Sequence, residues 1–82
     1  MAMKRSRFSA AFARAIRRSR LEGKMTQERL AEAAGVHPVY VSMVERGERI
    51  PTIEVAYRLA CALDRSLSAI VAEAERASRT KP

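Results

Sequence analysis

The sequence predicts an all-α fold, a compact bundle of five short helices. Three observations predict it. Apolar residues recur at the helical repeat of about 3.6 residues in successive segments, as helices with one buried face require. No segment shows the strict apolar–polar alternation of a half-buried strand. Gly23, Gly35, Gly47 and Pro51 interrupt the periodic segments at short intervals, so the helices must be short and the turns between them tight.

The first helix begins at Phe8. Phe8, Phe12, Ala15, Ile16 and Ser19 share one face, Arg7, Arg14 and Arg18 cluster on another, and Gly23 stops it. Thr26 is a natural N-cap for the second helix, because its hydroxyl can accept from an orphan N–H of the following turn. The reciprocal half of a capping box is missing, since Arg29 stands where Glu or Gln would be, although Glu28 suits the positive helix start. Leu30, Ala31 and Ala34 supply a small apolar face, and Gly35 ends this helix as a left-handed residue without a Cβ penalty.

Pro38 fits the first turn of the third helix, where a missing N–H costs nothing. Val41 and Val44 lie about a turn apart and point inward together, and Gly47 closes the helix. After a short loop Thr52 caps a fourth, strongly amphipathic helix with Ile53, Ala56, Leu59, Ala60 and Leu63 on one face and Tyr57 at its edge. Asp64 ends it where Gly would be more comfortable. Ser66 caps the fifth, whose apolar stripe is Leu67, Ile70, Val71 and Ala74. Residues 1–7 read as a flexible basic arm, 8–77 as the folded domain and 78–82 as a disordered tail.

With 82 residues the chain makes a single domain, and a core this small has little stability to spare. Its 16 Lys and Arg against 9 Asp and Glu, a net charge of +7, suit a polyanionic partner or, more plainly, a solubilising surface. The surplus is concentrated early, in Lys4, Arg5, Arg7, Arg14, Arg17, Arg18, Arg20 and Lys24 against Glu22 alone. Cys61, the single cysteine, excludes an intrachain disulfide and a cysteine zinc site; on the flank of the fourth helix it reads as a small buried hydrophobe. His37 is the single histidine and has no ligand partner nearby in sequence, which argues against a metal site. There is no apolar run of about 18 residues for a membrane span, no apolar core of a signal peptide, no Gly-rich phosphate loop and no nucleophile–base arrangement. The expectations are a cytoplasmic protein without cofactor, metal, small-molecule substrate or catalytic activity.

Two short helices around a Gly-containing turn form a helix-turn-helix pattern. Here the first spans about 27–34, the turn 35–37 and the second 38–46. Ala31 is small enough for the second helix to approach closely, and Val36, Val41 and Val44 seal the joint. At about 100° per residue, Val39, Ser42, Met43 and Arg46 fall on a narrow arc opposite Val41 and Val44, with Tyr40 on the flank. That arc is free to enter a groove. Its apolar members, Val39 and Met43, are unusual on the outside of a soluble helix and also suit a protein-interaction module.

More residues sharpen the pattern. Thr26-Gln27, Leu30-Ala31, Gly35-Val36, Tyr40-Val41-Ser42, Glu45-Arg46-Gly47, Pro51, Leu59-Ala60 and Ala62-Leu63 together resemble the Cro-type (XRE) helix-turn-helix family of phage repressors and small bacterial regulators. The resemblance covers about 16–71. The small size and fifth helix look like the controller proteins of restriction–modification systems. The resemblance implies a phage-repressor type of DNA-binding bundle that acts as a homodimer on a palindromic double-stranded operator in the bacterial or phage nucleoid. It implies a phosphate contact for Gln27 and for Arg49, whose plain alternatives are an ordinary first-turn residue and a solvated loop charge. Val39, Tyr40, Ser42, Met43 and Arg46 match the family's groove-facing positions, and Arg20 and Glu45 match a structural ion pair. His37, beside the start of the recognition helix, is a cap, a phosphate contact or a plain turn residue.

The departures from the family pattern matter as well. Pro38, Val39 and Met43 stand where many members carry Arg, Gln, Asn or Thr. Bidentate base readout needs Arg on guanine or Asn and Gln on adenine, so Ser42 and Arg46 remain as the polar readers. Val39 and Met43 can meet thymine methyls, and DNA deformability should carry much of the specificity. The fifth-helix stripe Leu67, Ile70 and Val71, with Leu63, is the expected dimer face; the alternative is that it closes the domain's own core. An antitoxin, binding DNA and a toxin together, is the alternative function, and membrane-surface binding by the basic N-terminal segment is a more distant one.

Overall fold

The computed structural model describes residues 6–79 and contains five helices and no strand among them. They are α1 (Arg7–Glu22), α2 (Gln27–Ala34), α3 (Pro38–Glu45), α4 (Ile53–Ala62) and α5 (Leu67–Arg79). α1 and α5 lie against each other; α2 packs on α3 and α4, α3 also touches α1, and α4 also touches α5. The centre is aliphatic: Ile16, Leu30, Val41, Val44, Leu59 and Ile70 are wholly buried.

Short helices leave many orphan backbone groups, and the caps answer them one by one. The Oγ1 of Thr26 accepts from Arg29 N–H at 3.0 Å, that of Thr52 from Val55 N–H at 3.2 Å, and the Oγ of Ser66 from Ala69 N–H at 3.1 Å. Ser6 does the same for α1, accepting from Ser9 N–H at 3.0 Å. This cap starts α1 at Arg7, which therefore belongs to the helix and not to the arm. α5 likewise runs to Arg79, so Ser78 and Arg79 are helical and not tail. The rest of the expected arm, 1–5, and tail, 80–82, lie outside the described residues.

The C-terminal ends of α1 to α4 all use one device. A residue in the left-handed region turns the chain so that two successive N–H groups return to carbonyls of the last turn, the Schellman arrangement. The left-handed residues are Lys24 (φ 57°), Gly35 (φ 74°), Gly47 (φ 76°) and Asp64 (φ 59°). Behind α2, Gly35 N–H donates to Glu32 O at 3.3 Å and Val36 N–H to Ala31 O at 3.0 Å; behind α3, Gly47 N–H reaches Val44 O at 3.0 Å and Glu48 N–H reaches Met43 O at 2.8 Å. Asp64 occupies this conformation as the sequence predicts. At the end of α1 the expectation is off by one residue: Gly23 has an ordinary φ of −81°, and Lys24 takes the left-handed position.

Three apolar side chains are not where periodicity puts them. Ile53 lies on the expected stripe of α4 but is 80% exposed, in the first turn of the helix, where it lines an apolar groove. Phe8 is 37% exposed in the first turn of α1, on the same groove. Cys61 is exposed rather than buried, since the flank of α4 that it shares with Tyr57 faces outward. On the other side of the bundle, Glu73 of α5 is paired with Arg18 of α1 and with Arg65 at 3.1 Å, while Arg65 Nη1 donates to Ser19 Oγ at 2.8 Å.

A Cβ on Gly35 would meet only the Arg58 guanidinium at 4.0 Å, so space is not the constraint there. We expect Gly35→Ala to lower stability by about 1–2 kcal/mol through backbone strain alone, and Lys24→Gly to raise it by up to about 1 kcal/mol. Urea melts of both variants check this; an alanine variant as stable as the parent would contradict the conformational argument.

Candidate nucleic-acid interface

α3 is held from both of its sides. Ala31 is buried, so no side chain keeps α3 away from α2, and Val41 and Val44 enter the core. At its start the His37 ring caps it, Nδ1 accepting from Val39 N–H at 3.1 Å. With Nδ1 acting as acceptor, the ring proton sits on Nε2, which can still donate outward. At its end Glu45 receives a bidentate contact from Arg20 of α1, Nε to Oε2 at 2.6 Å and Nη2 to Oε1 at 3.0 Å. Arg20 Nη1 also donates to the Met25 carbonyl at 2.9 Å, and Gln27 Nε2 donates to Glu45 Oε1 at 3.0 Å. Donating to the Glu45 carboxylate raises the affinity of the Arg20 guanidinium for its proton, outweighing the opposing effect of burial.

This polar knot is buried: the Arg20 and Glu45 side chains are 9% and 2% exposed. It also includes Gln27. Its amide turns to the ion pair, while the first turn of α2 keeps its unpaired backbone N–H groups at the helix start.

The two faces of α3 separate as their spacing predicts. Val41 and Val44 are in the core, while Val39 is 57% exposed, Ser42 and Met43 are half-buried and Arg46 is exposed. Tyr40 is half-buried, its ring against the core from the flank. Arg49 is exposed just past the turn, its backbone N–H returning to Met43 O at 3.3 Å.

The Ser42 and Arg46 side chains are not independent. Arg46 Nη1 donates to Ser42 Oγ, while its Nε and Nη2 both bind Glu48, at 3.0 Å each. That carboxylate strengthens the hold of Arg46 on its proton. Glu48 is the residue that sequence reasoning missed. The available signal was an acid two residues after the arginine and directly after a turn-forming Gly47, a geometry that folds the acid back over the helix end. Arg14 of α1 lines the same cleft beside Glu45, Arg46 and Glu48.

A helix-turn-helix family model matches residues 16–70, most of the chain. The chain belongs to the XRE-type helix-turn-helix family. It is thus a DNA-binding protein of the transcription-regulator class. Among solved structures it is similar to the clp gene regulator ClgR of Corynebacterium glutamicum, at 31% identity over 87% of this chain and 76% of that one, with a TM-score of 0.82. It is also similar to the restriction–modification controller protein C.AhdI of Aeromonas hydrophila, at 33% identity, 74% and 92% coverage and a TM-score of 0.72. The wild-type controller protein C.Esp1396I matches at 25% identity, 96% and 100% coverage and a TM-score of 0.83. No curated protein sequence matches the chain significantly.

Two further features bear on how this XRE-type domain works. Ile70 is wholly buried in the protomer and offers no surface to a partner, which removes it from the expected dimer face. Leu67 and Val71 are half-exposed and line an apolar groove with Phe8, Ile50, Pro51 and Ile53. Among the described residues no helix is long and apolar enough to cross a membrane, and no group of His, Cys, Asp or Glu could hold a metal ion.

The buried ion pair carries a stability consequence. Arg20→Ala strands the Glu45 carboxylate in the interior, so we expect a loss of about 3–5 kcal/mol. An exposed pair would contribute under about 1 kcal/mol. Thermal or urea unfolding of the variant checks this, and a loss in the lower range would show that the pair does not hold α3.

Proposed function

We propose that the protein is a sequence-specific regulator of transcription that binds double-stranded DNA as a homodimer on a palindromic operator, in the cytoplasm of a bacterium and on its nucleoid or phage DNA. The observation that carries this reading is the outer face of α3. It places Val39, Ser42, Met43 and Arg46 together on an exposed arc, on a helix fixed at both ends by His37 and Glu45. A helix seated this way can enter the major groove with its side chains at the base edges. Ser42 and Arg46 are its polar contacts, and Val39 and Met43 suit thymine methyls. His37 through Nε2, Tyr40 through its hydroxyl, Arg49 and the first turn of α2 at Gln27 would meet phosphates, which fix register without reading sequence.

One recognition helix spans few base pairs, and a two-fold pair of helices one or more DNA turns apart supplies the rest. The surface proposed for self-association is the apolar groove rim of Leu67, Val71 and Ile53. Contiguous exposed apolar surface of this kind marks an interaction site rather than ordinary surface, and a second copy is the partner that an operator with two-fold symmetry calls for.

The decisive experiment is selection of bound fragments from a random duplex pool, which reads binding, half-site spacing and symmetry together. Affinity for the selected site should fall with salt at about −0.9 in log–log slope for each phosphate neutralised. A complex indifferent to salt, or a pool without enrichment, would refute the proposal. For the dimer, Ile53→Asp and Leu67→Asp should each yield a folded monomer by sedimentation, because both side chains reach the surface. If both variants sediment as dimers, the interface lies elsewhere.

A further inference from the structure

We propose that Glu48 is a specificity-determining positioning residue, which holds the Arg46 guanidinium ready for a guanine edge and keeps it off the phosphate backbone. The inference rests on the reading of α3 as the DNA-facing helix and goes beyond it, because it assigns the discriminating step to an acid outside that helix.

The geometry points this way for three reasons. First, Glu48 is placed by its backbone. Its N–H is fastened to Met43 O at 2.8 Å and the preceding Gly47 is left-handed at φ 76°, so the carboxylate returns to the helix end without a search by a flexible loop. Second, the donor count works out. A guanidinium has one N–H on Nε and two on each terminal nitrogen. Glu48 takes the Nε donor and one from Nη2, and Ser42 takes one from Nη1. One N–H is left on each terminal nitrogen, as a bidentate contact to guanine O6 and N7 needs. Third, the charges balance. An exposed arginine beside DNA pairs readily with the nearest phosphate, which is strong binding without sequence information. Arg46 already has its counter-charge, so a phosphate offers it little gain, while its remaining donors still match a base edge. Holding the long side chain in one rotamer also removes much of the ordering cost at the moment of binding.

Glu48 is exposed, and its side chain is 53% accessible, so replacing it should leave the fold intact. The experiment compares the wild-type chain with Glu48→Ala, Arg46→Ala and the double variant. Each is titrated against the site selected from the random pool, against that site with each G·C pair changed in turn, and against unrelated duplex, over a range of salt. The wild type should discriminate strongly at one G·C pair in each half-site. In Glu48→Ala that discrimination should fall by about fivefold or more, while affinity for unrelated duplex rises and its salt slope steepens by about 0.9. In the Arg46→Ala background, Glu48→Ala should change G·C discrimination no further, which places the effect on the arginine. Unchanged discrimination in Glu48→Ala overturns the inference, even if the salt slope steepens, because Glu48 would then merely repel DNA. A loss of discrimination that persists in the Arg46→Ala background overturns it too. If the wild type itself selects no sequence, the reading of α3 has failed, and the result is visible before any variant is examined.

Discussion

The ion pair between Arg20 and Glu45 is the interaction on which the placement of α3 depends. α3 sends only Val41 and Val44 fully into the core, and two valines contribute about 3–6 kcal/mol at best. That is a thin anchor for a helix whose other face must stay uncovered. The polar knot adds what burial cannot: direction. Its two parallel N–H···O contacts tolerate little rotation, and the Met25 carbonyl and Gln27 amide occupy the remaining groups, so neither charge is left unpaired in the interior. Burying two charges is costly in itself. The cost is accepted where apolar contact would let the helix roll, and here a small roll would carry Ser42 and Arg46 away from any groove that they enter.

The same economy governs the turns. Repeating one C-terminal arrangement behind α1, α2, α3 and α4 lets short helices reverse direction without long loops, and each turn also places a particular neighbour. Behind α2 it sets Val36 against the core; behind α3 it brings Glu48 over Arg46. A motif that serves folding thereby sets the electrostatics of the exposed face. The two non-glycine positions, Lys24 and Asp64, take the same left-handed conformation at some cost in backbone strain.

The outer surface divides by chemistry. The α3 arc is mixed, apolar at Val39 and Met43 and polar at Ser42 and Arg46. The groove between the starts of α1, α4 and α5 is apolar through Phe8, Ile50, Ile53, Leu67 and Val71. A bundle this small cannot cover every apolar residue that its helices carry. Of the uncovered ones, Phe8, Ile50 and Ile53 gather at this groove, the surface proposed above for self-association. The link from fold to proposed function therefore runs through two exposed regions, one for bases and one for a partner protomer.

Much of this is legible in the sequence. Helix identity follows from local spacing, and caps such as Thr26, Thr52 and Ser66 are local chemistry, so the chain alone determined the five helices, the turn at Gly35 and the inward direction of Val41 and Val44. The pairing of Arg20 with Glu45 was reached only through family resemblance, since nothing local joins residues so far apart in sequence. What the tertiary structure decided is where each helix stops being covered. Periodicity names a face but not the length over which a neighbour packs against it, so Ile53 and Phe8 are exposed although they continue buried stripes, and Ile70 is buried although its stripe reaches the surface. The partners of flexible polar groups were decided there too. Gln27 turns to Glu45 and Arg46 to Glu48, because hydrogen-bonding groups choose among whatever the folded backbone brings within about 3 Å, and a linear sequence does not contain that distance.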